Sequence, residues 1–231
     1  MPENCPYGRK CNRKNCENDF CMRKYRLDDL YDKSLLELAQ RQYTSLYIDD
    51  DGTDYNEFVK LSQIEQNIEN FVAGGNNLFI HSTNCGCGKT SWAVRMMQAY
   101  FGKVWPKTNF GCKALFISVP RFLLALKNNV SHQDTYAEFI KANVFTADLI
   151  VWDDVGTKVS TTFELDNLYS MIDTRIAMGK SNIFTSNLNL QAMYDHLGER
   201  LTSRICNNSL DIQLNGKDKR GLNVKDFGGN E

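Results

Sequence analysis

Four short segments with apolar centres, separated by longer stretches with apolar residues at helical spacing, dominate the sequence. They cover residues 78–80, 114–118, 149–152 and 182–187, the last ending in a polar tip. Short apolar runs bounded by polar residues are typical of strands buried on both faces, as in a parallel sheet. A fifth segment, 210–214, alternates apolar and polar residues like a half-buried strand. The pattern predicts an α/β fold with a central parallel sheet.

Helical periodicity predicts the elements between these strands. The predicted helices cover 28–43, 54–72, 89–101, 120–129, a short stretch ending near 143, 162–178 and 191–197. The buried side of the helix at 162–178 is predicted to consist of Phe163, Leu165, Leu168, Met171, Ile172 and Ile176. Asp49, Asp50, Asp51 and Gly52 interrupt the pattern with like charges and a turn residue. We interpret them as a solvated linker, because no EF-hand pattern follows the carboxylates.

Composition limits the classes of protein that this chain can represent. Its 231 residues can hold one well-cored domain and a small appendage. The formal net charge of -1 gives no global attraction to nucleic acid. No run approaches about 18 consecutive apolar residues, and the N-terminus lacks the apolar centre of a signal peptide. We therefore expect a cytoplasmic protein without a membrane partner, whose eight cysteines are thiols or metal ligands rather than disulfides.

The loop after the first strand carries the strongest chemical signal. Thr83, Gly88, Lys89 and Thr90 follow the spacing of a phosphate-binding P-loop, with Thr83 where the first glycine is usual. The loop's N–H groups can surround phosphate at a helix N-terminus, while Lys89 contacts the β- and γ-phosphates and Thr90 ligates Mg²⁺. The predicted nucleotide-binding residues are Asn84, Cys85, Gly86, Cys87, Gly88, Lys89, Thr90 and Ser91. The alternative is an accidental loop of glycine and cysteine, which leaves the flanking strand and helix unexplained.

Two carboxylates follow the third strand, and an amide ends the fourth. Asp153 and Asp154 directly after 149–152 form a Walker B pattern, in which Asp153 holds Mg²⁺. Asp154 is predicted to be the general base toward the attacking water, a role more often given to Glu, so we expect slow hydrolysis. Asn187 can hold that water beside the γ-phosphate. The alternative is a buried strand that ends in solvated acids. The sequence therefore predicts an ATPase.

Four cysteines in the first 21 residues form a candidate zinc site. They are Cys5, Cys11, Cys16 and Cys21. Four thiolates around Zn²⁺ carry a net charge of about -2, which the many Lys and Arg residues of this segment offset. A segment this short has almost no apolar core, so metal binding would supply its folding free energy. The alternative is a flexible, basic arm that bears cysteines.

Several motifs in a fixed order resemble one known family. They are the P-loop at 84–90, the carboxylates and glycine at 153–156, Phe184-Thr185-Ser186-Asn187-Leu188, the segment 197–205, and Gly216-Lys217-Asp218-Lys219-Arg220. Over roughly residues 55 to 222 the chain is similar to AAA+ helicase loaders of the DnaC/DnaI type, including phage-encoded relatives. The resemblance implies a P-loop AAA+ (ASCE) fold with a three-layer αβα core and no C-terminal helical lid domain.

The resemblance also implies roles for individual residues. Asn187 would be the sensor-1 residue, Arg204 the arginine finger with Arg200 as second candidate, and Arg220 the sensor-2 arginine. A finger that reaches a neighbour's γ-phosphate implies a nucleotide-dependent homo-oligomer. The implied activity is ATP hydrolysis with Mg²⁺, slow and stimulated by DNA or a partner.

The same resemblance implies partners and a domain division. Residues 1–50 would form a Cys-rich, zinc-binding and helical segment that grips the hexameric replicative helicase. Residues 51–222 would form the AAA+ ATPase domain, and 223–231 a flexible tail. Single-stranded DNA is the implied nucleic-acid partner in DNA replication.

Three other functions remain open at this stage. An IstB-like transposition helper ATPase that delivers a transposase shares the same motifs. A non-hydrolysing, nucleotide-gated scaffold would explain Asp154 and Thr83 as marks of a weakened enzyme. A small-molecule P-loop kinase is disfavoured, because it does not explain the paired carboxylates together with Asn187 and the segment 197–205.

Overall fold

The computed structural model describes residues 21–42, 46–49, 51–128, 134–157 and 161–219. Cys5, Cys11, Cys16 and Arg220 lie outside these ranges, so the predicted zinc site and sensor-2 arginine stay predictions. Within the described ranges, no group of three or more His, Cys, Asp or Glu side chains is placed to hold a metal ion. Across the same residues, no helix has the length and apolar character needed to cross a membrane.

Five parallel strands form one sheet. They are β1 (Asn77–His81), β2 (Ala114–Ser118), β3 (Leu149–Asp153), β4 (Ser181–Ser186) and β5 (Ser209–Gln213). Their order across the sheet is β2-β3-β4-β1-β5. The strands that precede the P-loop and the carboxylates, β1 and β3, thus flank β4. The predicted α/β fold with a central parallel sheet is confirmed.

Helices cover both faces of this sheet. They are α1 (Met22–Asp32), α2 (Tyr55–Gln66), α3 (Ile68–Ala73), α4 (Lys89–Val104), α5 (Val119–Asn128), α6 (Thr135–Asn143), α7 (Thr162–Ala177) and α8 (Leu190–Asn207). Alternate strand residues point to opposite faces, so two cores form. Leu78 and Ile80 pack with α1 to α4, whereas Phe79 packs with α5 to α8. The result is the predicted three-layer arrangement.

Three predicted helices have other bounds than expected. The helix predicted at 191–197 continues to Asn207, with a non-helical residue, Gly198, inside α8. The helix predicted at 28–43 ends at Asp32, and a short 3₁₀ helix, Leu38–Arg41, follows after a turn. In that turn the buried Ser34 hydroxyl donates to the Tyr31 carbonyl oxygen, and Leu35 has a positive φ of 62°. Serine competes in this way with helical hydrogen bonding, which explains the early end. The helix predicted at 54–72 is divided into α2 and α3 at Asn67.

The predicted burial of Phe163 on α7 is wrong. Its side chain is 52% exposed, whereas Leu168 and Ile172 are fully buried. At about 100° per residue, Phe163 lies about 140° around the helix from Leu168, outside the buried stripe. The first turn of α7 is instead fixed by a capping box between Thr161 and Glu164. The aromatic side chain is therefore directed to solvent.

Candidate functional site

The P-loop connects β1 to α4 and holds a buried ammonium group. Gly86 and Gly88 have positive φ angles of 72° and 102°, a conformation that glycine adopts without steric cost. Lys89 is only 6% exposed, and its Nζ donates to the Asn84 carbonyl oxygen at 2.9 Å. The same Nζ lies 3.6 Å from Cys87 Sγ. A helix N-terminus, a curled loop and an ammonium group thus converge, as binding of a phosphate group requires.

Two hydroxyl groups meet the first carboxylate of the Walker B pattern. Thr90 Oγ1 and Thr185 Oγ1 both donate to Asp153 Oδ1, at 2.9 and 2.7 Å. Burial raises the pKa of Asp153 above its ordinary value, the Thr185 hydrogen bond opposes this, and the charge of Asp154 adds to it. A cation would stabilise this buried carboxylate. The oxygen ligands of Thr90 and Asp153 fit Mg²⁺, which prefers carboxylate and hydroxyl oxygens.

The second carboxylate is paired with the amide that ends β4. Asn187 Nδ2 donates to Asp154 Oδ1 at 3.0 Å, so the structure brings these two predicted residues together. Asp154 has a positive φ of 59°, uncommon outside glycine, and its backbone N–H donates to Thr185 Oγ1 at 3.0 Å. Residues held in such conformations cluster at functional sites. The arrangement can orient a carboxylate oxygen toward a proton donor.

Thr185 is a site residue that the sequence analysis did not assign. Its hydroxyl donates to Asp153 and accepts from the backbone of Asp154, so it fixes both carboxylates relative to each other. The residue is fully buried on the central strand β4. A hydroxyl residue directly after the apolar pair Ile183-Phe184, two positions before Asn187, was the signal that could have identified it.

Arg200 and Arg204 contact α7. Arg204 Nε lies 2.7 Å from Asp173 Oδ1, and the guanidinium carbon of Arg200 lies 4.5 Å above the ring of Tyr169. The Arg204 side chain is 45% exposed. Both contacts are with side chains of α7. The structure thus presents both arginines on the surface, beside α7.

A segment after β5, residues 214–219, crosses the P-loop; we call it the strap. Asn84 Nδ2 donates to the Asn215 carbonyl oxygen at 2.9 Å, and Lys219 N donates to the Gly86 carbonyl oxygen at 3.0 Å. The strap is so close that a Cβ atom added to Gly86 would lie 1.7 Å from Asp218 Oδ1. Only glycine fits this position without a displacement of the Asp218 side chain.

Asp54, at the N-terminus of α2, and Asp49 of the acidic linker hold the strap in place, which corrects the interpretation of Asp49 as part of a solvated loop. Asp54 accepts hydrogen bonds from Asn215 N at 2.8 Å and from Gly216 N at 2.7 Å. Asp49, which is mostly buried, accepts from Lys217 N at 3.2 Å. Because these partners are more than 160 residues apart in the chain, no local pattern could reveal them.

A small cleft lies beside the P-loop, between the linker, α2 and the strap. Its lining residues are Tyr47, Ile48, Thr53, Asp54, Phe58, Cys87, Trp92, Leu214 and Lys219. The rings of Phe58 and Trp92 pack edge to face, with centroids 5.1 Å apart. Thr53, Asp54 and Lys219 are the polar or charged residues among apolar and aromatic neighbours. The sequence analysis did not predict this cleft.

Comparison with known protein families identifies the chain. Residues 52–220 match the family described as IstB-like ATP binding protein, which is well over half of the 231 residues. The chain belongs to this family. The match covers every described element of the candidate site except the linker residues before 52.

Two relatives of this IstB-like ATP-binding protein are similar over long spans. The replicative helicase loader DnaC of Escherichia coli K12 is 26% identical over 156 residues, which cover 67% of this chain and 60% of DnaC. The chain therefore spans less than two thirds of the length of that curated relative. The uncharacterized protein YdaV of the same strain is 25% identical over 202 residues, 87% of this chain and 75% of YdaV.

Solved structures show the same fold. The crystal structure of the DnaC helicase loader has a TM-score of 0.57 at 20% identity and covers 70% of this chain and 89% of its own. The crystal structure of DnaI has a TM-score of 0.56 at 21% identity and covers 76% of this chain and 88% of its own. The structure of AMPPCP-bound DnaA from Aquifex aeolicus has a TM-score of 0.58 at 18% identity and covers 84% of this chain and 57% of its own. The chain thus belongs to the IstB-like ATP-binding family and shares the fold of the DnaC, DnaI and DnaA structures, as the motifs predicted.

Proposed function

We propose that this protein binds Mg²⁺ and ATP at the P-loop and hydrolyses the nucleotide. The observation that carries the proposal is the convergence of Lys89, Asp153, Asp154 and Asn187 at the carboxyl ends of β1, β3 and β4. The ends of parallel strands at such positions are where open α/β sheets bind ligands. Membership of an ATP-binding family implies the same two cofactors.

Each residue has a distinct role in the proposed reaction. The N–H groups of 84–91 and the Lys89 ammonium bind the phosphates, and Thr90 with Asp153 holds Mg²⁺. When bound, the metal neutralises charge on the phosphates. Asp154 accepts the proton of the attacking water, and the Asn187 amide fixes one of its oxygens so that the other is oriented.

The reaction needs a second copy of the chain. Arg204, with Arg200 as the second candidate, stabilises charge on the γ-phosphate bound by a neighbouring protomer. The exposed position of Arg204 on α8, where it pairs with Asp173 of α7, supports a role in trans. An arginine supplied in this way raises the rate of phosphoryl transfer about 10³- to 10⁵-fold. Arg220, outside the described residues, is proposed as sensor 2.

We propose that the partner is a replicative helicase, loaded onto single-stranded DNA. The relative named replicative helicase loader supports this, as do the DnaC and DnaI structures. The N-terminal segment, with Zn²⁺ on Cys5, Cys11, Cys16 and Cys21, is proposed to grip the helicase. A second candidate, an IstB-like transposition helper, is favoured by the family match at 52–220.

Capture of partners by the purified, tagged protein separates the two functions. The cognate helicase should be retained with ATP, less with ADP, and not by Lys89→Ala, which cannot bind the phosphates. If zinc binding folds the segment that contacts the helicase, replacement of Cys11 and Cys16 by Ser should abolish capture of the helicase, while ATP binding persists. Retention of a transposase in place of the helicase would overturn the loader proposal and leave the ATPase proposal standing.

A further inference from the structure

Four side chains on the exposed face between α7 and α8 form one cluster. Arg204 Nε lies 2.7 Å from Asp173 Oδ1. The neighbouring guanidinium groups of Arg204 and Arg200 lower the pKa of Tyr169. Arg200 also stacks over the Tyr169 ring at 4.5 Å. Tyr169 and Asp173 are one turn apart on α7, and the arginines are one turn apart on α8. Two helices thus fix two guanidinium groups.

The chemistry of the guanidinium group explains what this cluster leaves available. Arginine has five N–H donors in a planar fork, and its terminal edge can bind two phosphate oxygens at once. Asp173 contacts the Nε of Arg204. A carboxylate at that position stiffens a long side chain that would otherwise sample many rotamers, and the side chain stays 45% exposed. The group is therefore preorganised and still accessible to a second protomer.

We infer that Asp173 and Tyr169 are positioning residues that orient Arg204 toward a triphosphate bound by a neighbouring copy of this chain. The inference rests on the proposed function, and it adds two residues that lie outside every motif of the sequence. Neither residue contacts the nucleotide of its own protomer. Their effect on hydrolysis is expected only in the protomer that donates the arginine.

A mixing experiment locates this effect. Lys89→Ala supplies Arg204 but cannot bind ATP, whereas Arg204→Ala binds ATP but lacks the arginine. Each alone should release little phosphate, and an equimolar mixture should restore activity at those interfaces that join an ATP-binding site to an intact Arg204, a minor fraction of all interfaces. Addition of Asp173→Asn to the Lys89→Ala donor should lower the restored rate about tenfold, with the KM for ATP unchanged, because only transition-state stabilisation is lost.

Matched controls separate positioning from damage to the fold. Asp166→Asn in the donor, an exposed carboxylate on the same helix, should leave restoration intact. Asp173→Asn in the Arg204→Ala acceptor should also have no effect, since the acceptor's arginine is absent. Tyr169→Phe in the donor keeps the ring under Arg200 and should give a smaller loss than Asp173→Asn.

Two results would overturn the inference in different ways. If the donor with Asp173→Asn restores activity as well as the unmodified donor, Arg204 acts in trans without help from Asp173. If the mixture of Lys89→Ala and Arg204→Ala restores no activity, Arg204 does not act on a neighbouring protomer. That result would reject both this inference and the proposed role of Arg204 in trans.

Discussion

Replacement of Arg175 by Met should destabilise the protein strongly, although the residue lies far from the candidate site. Arg175 on α7 is fully buried. Its guanidinium donates to Asn182 Oδ1 at 2.8 Å and to the carbonyl oxygens of Val144, Ala147 and Ser181 at 2.6, 2.9 and 2.6 Å. These bonds join the turn before β3 to the start of β4.

The magnitude follows from two opposing effects. Four charge-assisted hydrogen bonds contribute about 1.5 to 3 kcal/mol each, or about 6 to 12 kcal/mol. Burial lowers the pKa of Arg175 to about 9 from 12.5, so removal of the charge returns up to about 5 kcal/mol. The net loss centres on about 4 kcal/mol, close to the cost of removing one partner from a buried ionic cluster. At about 2 to 4 °C per kcal/mol, Tm should fall by about 8 to 16 °C.

Urea unfolding and thermal melts followed by circular dichroism measure this loss. Arg121→Met is the matched control, because Arg121 is an exposed arginine that pairs with Glu37 and stacks on Tyr136 at 4.4 Å. It should cost less than about 1 kcal/mol. A loss below about 1 kcal/mol for Arg175→Met as well would refute the reasoning that these carbonyl groups depend on the guanidinium.

Three further predictions concern the site and the strap. Asp153→Asn should raise Tm of the ligand-free protein at neutral pH and abolish Mg²⁺-dependent hydrolysis. Because the pKa of Asp153 is raised in the folded state, the wild type gains stability as the pH falls toward 3.8 and Asp153 is protonated, so the Tm difference between variant and wild type should shrink there. A Tm difference that stays constant with pH would contradict this. Thr185→Val should lower kcat about 10- to 100-fold, since it frees both carboxylates, and an unchanged kcat would exclude this role. Asp54→Ala should speed hydrogen exchange at Asn215 and Gly216 about tenfold or more, measured by mass spectrometry against Asp166→Ala, which removes an exposed carboxylate on α7; equal exchange in both variants would show that Asp54 does not hold the strap.

Local patterns predicted the sheet and the chemistry at its edge. The apolar segments define strands because a strand buried on both faces cannot tolerate charge. The P-loop and the carboxylates follow these strands directly, so a parallel sheet places Lys89, Asp153 and Asn187 at one edge. Their proximity was therefore predictable from the topology alone. Asn187 and Asp154 show this most clearly, since Asn187 Nδ2 lies 3.0 Å from Asp154 Oδ1.

Contacts between distant segments were not predictable in this way. Arg175 had the pattern of a surface cation in the last turn of a helix, yet it binds carbonyl groups that come from the turn before β3 and from β4. The carboxylate of Asp54, at the N-terminus of α2, accepts a hydrogen bond from Asn215 N of the strap, about 160 residues later in the chain. Polar groups buried by tertiary packing leave no periodic signal, because their partners are set by the fold and not by neighbours in sequence.

Phosphate release from ATP tests the central claim, hydrolysis at the P-loop. Wild type and Lys103→Ala, an exposed lysine on the same helix as Lys89, should release phosphate at similar rates that depend on Mg²⁺ and rise with protein concentration. Lys89→Ala and Asp154→Asn should be slower by about 100-fold or more. If Lys89→Ala hydrolyses ATP as fast as wild type, or if wild type binds Mg²⁺-ATP but releases no phosphate at any protein concentration with single-stranded DNA present, the claim is contradicted.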